Sequence, residues 1–110
     1  MARRYRVGRL EQEIQKEVDD ILLKRVRDPR VQGITITGVD VTGDLQQATI
    51  YFSILSDKAS DVEKTEEGLK KATGLIRKEL GARLSIYKTP EIEFKQDASV
   101  REGDKIDRLI

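Results

Sequence analysis

Apolar positions at the start of the chain recur three and four residues apart. Val7, Leu10, Ile14, Val18, Ile21 and Leu22 fall within about a third of a helix circumference, which predicts an amphipathic helix over about residues 6–26. Asp28-Pro29 ends it, because proline restrains the residue before it and cannot continue the hydrogen-bond ladder. The period then drops from 3.6 to 2. Ile34 to Val41 is β-branched and alternating, but the apolar parity changes across Thr37-Gly38, so a β-bulge is expected at Gly38. Thr42-Gly43-Asp44-Leu45 reads as a hairpin connection. A second strand follows, with Ala48, Ile50, Phe52 and Ile54 inward and Thr49, Tyr51 and Ser53 outward.

Beyond a polar break at residues 56–60, helical spacing returns. A second helix over about 61–80 buries Val62, Leu69, Ile76 and Leu80, with Ser60 or Asp61 as its cap and Gly81 as its stop. Glu91 to Lys95 alternates as a short strand, Pro90 suiting its first position. Residues 99–110, with Ile106, Leu109 and Ile110, are expected to form a weak last helix. Two strands in a hairpin and a third returning after a helix predict a three-stranded sheet covered on one face by the helices. This is a single α+β domain over residues 1–110.

The second helix contains the most informative stretch. Residues 70–80 carry four cations, Lys70, Lys71, Arg77 and Lys78, and an internal Gly74. A glycine inside a helix costs about 1 kcal/mol relative to alanine, so it marks a bend or a close backbone approach.

Composition narrows the function classes. Hydrophobic and charged residues each make up 37% of the 110 residues, so the core is small and the surface heavily ionic. Cysteine and histidine are both absent, which removes disulfides, the usual zinc sites and the usual general base; no metal or cofactor is expected. No apolar run is long enough to span a bilayer, and the arginine-rich start leads into a helix without a signal region. A soluble cytoplasmic protein without membrane association is expected.

Net charge is only +1, but the charge is segregated. Residues 1–10 hold Arg3, Arg4, Arg6 and Arg9 without an acid, and residues 70–88 hold Lys70, Lys71, Arg77, Lys78, Arg83 and Lys88 against Glu79. These segments carry +4 and +5, whereas residues 11–20 sum to −4 and residues 57–69 to −3. Lys24, Arg25, Arg27 and Arg30 crowd the exit of the first helix, where cations also complement the helix dipole. Either one basic face or a set of interleaved ion pairs satisfies these counts.

Four features taken together carry a resemblance: Arg9-Leu10 through Glu17-Val18 to Asp28-Pro29-Arg30; the strand pair around Gly43-Asp44-Leu45; Ala72-Thr73-Gly74 followed by Ile76-Arg77 and Leu80-Gly81; and Pro90-Glu91-Ile92 with Phe94, Asp97, Ser99, Gly103 and Ile106. In these the chain resembles the ribosome-binding factor A family, bacterial factors for small-subunit assembly. The match spans residues 6–110 in order and spacing. It implies a KH-like fold of the second topological type, α-β-β-α-kink-α-β, in which Ala72, Thr73 and Gly74 form an interhelical kink in place of the KH glycine loop. Residues 84–88 are less basic than the family pattern, and the chain stops at Ile110 where many relatives continue into a polar tail.

The resemblance further implies a non-catalytic factor, acting as a monomer, that binds the free or immature small subunit through 16S rRNA beside ribosomal proteins. It assists maturation, including processing of the rRNA 5′ end, and often matters in the cold. Arginine and lysine at the positions above would contact phosphates and give affinity with little base selectivity. Tyr51 and Tyr87 are possible base stackers, though exposed aromatics are ordinary. Two other classes compete. An enzyme would draw on Glu91 with Glu93 or Asp40 with Asp44, but twenty acids make such pairs expected by chance and the glycines form no phosphate loop. A general KH-like or protein-interaction module is the other, and steep salt dependence separates RNA binding from a protein contact.

Overall fold

The computed structural model describes residues 2–55, 58–84 and 88–97, residues 2–6 as backbone alone. The first helix, α1 (Ala2–Lys24), buries Ile14, Val18, Ile21 and Leu22 along one stripe, with Val7 and Leu10 packed at its edge. It begins about a turn earlier than its apolar periodicity, because the arginines of the first turns offer the sequence pattern nothing to repeat. At its far end the amides of Arg25 and Val26 both donate to the Ile21 carbonyl, and Val26 turns into the core.

Asp28 then caps a 3-10 turn, Pro29–Val31, accepting the Arg30 amide at 2.9 Å while the proline occupies its first position. Val31 is buried, and Gly33, at φ 78, reverses the chain into the sheet.

β1 (Thr35–Val41) pairs antiparallel with β2 (Gln47–Ser53), and β3 (Glu91–Gln96) lies parallel to β2 on its other side. Ile36 pairs with Phe52 and Gly38 with Tyr51, so the extra residue of the bulge is Thr37, one place before the expected Gly38. The bulge restores the inward face, which reads Val41–Ala48–Ile92, then Val39–Ile50–Phe94, then Ile36–Phe52–Gln96 across the strands. Ile54, expected inward, lies just past β2 and is half-buried. In the hairpin the positive φ falls on Leu45 (61°) rather than on a glycine, with Asp44 bonding Thr42 Oγ1 and the Gln46 amide.

α2 (Ala59–Leu84) links β2 to β3 and packs beside α1 on the same sheet face, giving the expected α+β layering. Two expectations for it are corrected. Ser60 and Asp61 lie inside its first turn, and the amides of Asp61 and Val62 are bonded by the Lys58 carbonyl. Helical hydrogen bonding runs through Ala72-Thr73-Gly74, where the resemblance implies a kink, and Leu69, Ala72, Ile76 and Leu80 form one continuous buried stripe. Thr73 back-bonds to the Leu69 carbonyl at 2.9 Å, which helices accommodate without ending. Gly81 is not the stop either, for the helix continues to Leu84.

Val62 is half-buried, whereas Thr65 is buried and satisfies its hydroxyl on the Asp61 carbonyl. Among the described residues no helix is long and apolar enough to cross a membrane. The weak helix expected over 99–110 lies outside the described residues.

Candidate nucleic-acid interface

With both helices on one side of the sheet, the molecule presents two broad surfaces of different chemistry. The open sheet face carries Asp40, Thr49 and Glu93 in one cross-strand row and Tyr51 beside Lys95 in the next, with Glu91 at the start of β3. Its acids outnumber its cations, which disfavours a polyanion. The carboxylate pairs weighed for catalysis, Glu91 with Glu93 and Asp40 with Asp44, are at this surface or in the hairpin turn. Tyr51 is half-buried between its strand neighbours, and Tyr87 lies outside the described residues.

The helix face is where the candidate cations separate into two groups. Several are committed to holding the fold. The Arg83 guanidinium reaches from α2 to Asp20 (2.6 Å) and Glu17 (3.2 Å) on α1, and Glu79 lies 3.8 Å from it and 3.1 Å from Arg25. Hydrogen bonding from Arg83, then from Lys24, holds the Asp20 carboxyl below its usual range. Arg77 donates to the carbonyls of Pro90 (3.1 Å) and Thr89 (3.0 Å), tying α2 to the entry of β3. Arg30 is chelated by Asp28, with Nη2 2.6 Å from Oδ2, and also reaches Glu67. The Arg30 hydrogen bonds pull Asp28 down to about 2. Arg9 with Glu13 and Lys24 with Asp20 are exposed pairs one helical turn apart, which contribute little to stability and leave both cations open to solvent.

The second group is uncommitted. Arg27, Lys70, Lys71, Lys78 and Lys88 are exposed and make no ion pair among the described residues. Lys70, Lys71 and Lys78 share the outward face of α2. The turn that follows Arg27 is pressed against the same helix at Gly68, close enough for Lys71 to help lower the Asp28 pKa. Of Arg3, Arg4 and Arg6 the helical backbone is described and nothing more. The sequence pattern therefore found the basic segments but could not sort struts from free charges. It also missed Gly68, whose signal was present: a third glycine in one helical segment, aligned with the buried stripe.

Comparison with known proteins agrees with this architecture. A family model described as Ribosome-binding factor A matches residues 6–110. A ribosome-binding factor A of Levilactobacillus brevis is 79% identical over 106 residues, covering 96% of this chain and 91% of its own. That of Pediococcus pentosaceus is 74% identical over all 110 residues and 95% of its own length. Among solved structures, a Thermotoga maritima protein described as a putative ribosome binding factor A superposes with a TM-score of 0.75 at 35% identity, covering 84% of this chain and 88% of that one. The Thermus thermophilus crystal structure of ribosome-binding factor A, at 19% identity, shares the fold with a TM-score of 0.71, covering 82% and 94%. The chain belongs to the ribosome-binding factor A family.

Proposed function

We propose that residues 1–110 act as one KH-like RNA-binding domain. It binds the free or immature small ribosomal subunit through 16S rRNA, beside ribosomal proteins, and assists maturation of the subunit, including processing of the rRNA 5′ end, without chemistry of its own. The reading has the chain working as a cytoplasmic monomer, with a greater demand for it in the cold. The observation that carries it is the uncommitted cation face of α2, Lys70, Lys71 and Lys78, on a molecule whose opposite face is acidic. Membership of the family supports the ribosomal partner, as does a likeness in fold to a Thermus thermophilus ribosome binding factor A fitted into a map of a 30S complex.

Co-sedimentation with purified small subunits across a salt series tests the reading. Binding that falls steeply and linearly in log–log form is expected, because each phosphate contact releases counterions. Salt-independent binding would instead favour a protein contact, and absence of binding to small subunits would leave a general KH-like module.

A further inference from the structure

The sheet has two edges, and the fold treats them differently. The outer side of β1 is guarded by α1: the Val41 amide donates to Glu11 Oε2 (2.7 Å), and the Ile36 carbonyl accepts from Gln15 Nε2 (3.3 Å). The bulge at Thr37 spoils that edge for pairing as well. β3 forms the other edge. The Glu91 amide donates to the Gln46 carbonyl and the Asp97 amide to the Phe52 carbonyl, so the odd-numbered residues of β3 turn their backbone groups toward β2. Ile92, Phe94 and Gln96 therefore turn theirs outward, and no described residue bonds them.

The side chains of this edge are unfinished too, in a way that specifies a partner. On the inward face Ala48 and Ile50 of β2 are buried, whereas their row partners on β3, Ile92 and Phe94, are only half-buried. On the open face Glu91 and Glu93 are exposed, and Glu93 makes no ion pair among the described residues. The row behind Glu93 continues into Thr49 and Asp40, so it supplies no cation. A fourth strand would set its side chains about 5 Å from those of β3 on each face. Apolar groups would then cover Ile92 and Phe94, and cations would meet Glu91 and Glu93.

We propose that the open edge of β3 is a strand-addition site for an extended basic protein segment in which apolar and cationic residues alternate. Main-chain bonds to Ile92, Phe94 and Gln96 supply affinity, and the alternation supplies selectivity. The site is separate from the lysine face of α2 and does not depend on the RNA reading.

Amide hydrogen exchange, read residue by residue by NMR, tests this with an acetylated heptapeptide alternating lysine and valine. With peptide at about ten times its dissociation constant, the amides of Ile92, Phe94 and Gln96 should exchange about tenfold more slowly, while those of Glu93 and Lys95, already bonded to β2, keep their rates. Gln96→Pro removes one outward donor without touching the bonds to β2, and should weaken the peptide about fivefold. Glu93→Lys, which leaves the backbone alone, should weaken it by a similar factor of about five. No protection, or protection elsewhere on the molecule, would overturn the site. Equal binding of a heptapeptide alternating glutamate and valine would overturn the basic partner. Three further results would give the edge to another occupant and overturn the proposal. Edge amides already slow in the peptide-free monomer would assign it to residues 98–110 of this chain. Edge amides that slow only as the protein is concentrated would assign it to a second copy. The same protection from an oligouridylate would assign it to a nucleic acid strand.

Discussion

At the scale of single residues, the glycines of α2 separate three physical situations that look alike in sequence. Gly68 sits under the Asp28–Val31 turn, where the nearest atoms to an added methyl are a buried valine carbon and the Cβ of Arg30, both close to their backbones. Neither can swing aside, so Gly68→Ala should lower stability by about 1–2 kcal/mol. Overpacking outweighs the helix-propensity gain of about 1 kcal/mol there, and a melting comparison reads the difference. Gly74→Ala should move the other way, by up to about 1 kcal/mol, because nothing in the chain opposes it. Helical spacing could announce that a glycine interrupts the pattern, but not what stands opposite it. Gly68 is explained by a turn some forty residues earlier in the chain and Gly81 by Thr89, and no local pattern contains either contact. Leu45 is the converse case, a bulky residue held at φ 61 in a turn that already contains Gly43. Leu45→Asn should raise the melting temperature, since asparagine tolerates the left-handed region that leucine resists by about 1 kcal/mol.

Among elements, the period of the apolar pattern carried the reading and their ends escaped it. α1, the strands and the bulge follow from positions that must reach one core, and these were legible because burial is strictly periodic. The end of α2 was not, since Gly81 has the composition of a helix stop and its actual role, making room for Thr89, is tertiary. The turn after α1 gives a testable pH dependence. Asp28 binds the Arg30 amide and guanidinium, and its pKa is lowered from 3.8 to about 2, first through the side-chain bond to Arg30. A carboxyl depressed in the folded state stabilises it fully above the unfolded pKa, and that contribution fades as pH falls from near 4 through about 2. Asp28→Asn should therefore melt below the parent at neutral pH, and the gap should close as the pH approaches 2. A gap that stays constant with pH would assign the loss to the altered cap rather than to charge.

For the whole molecule, segregation of charge was visible in the sequence, but its division into struts and free cations was not. Arg83 finds Glu17 and Asp20 more than sixty residues away, so the pairing exists only once α1 and α2 lie side by side. What remains after pairing is a face, and a face predicts that position matters more than total charge. Two double reversals test this, because each takes the net charge from +1 to −3. Lys70→Glu/Lys71→Glu alters the outward face of α2, whereas Lys16→Glu/Lys95→Glu alters an exposed site on α1 and one on the open sheet. None of the four lysines makes an ion pair among the described residues, so both proteins should melt close to the parent. Long-range attraction to a polyanion falls equally in the two and is screened beyond about 8–10 Å at moderate salt. Local phosphate contacts are lost in the first alone. Its affinity for small subunits should fall at least tenfold, with a salt slope flatter by about 0.7–0.9 per contact removed, while the second should bind within about threefold of the parent. Equal losses in the two would mean that the subunit senses net charge and that the helix face has no privileged role.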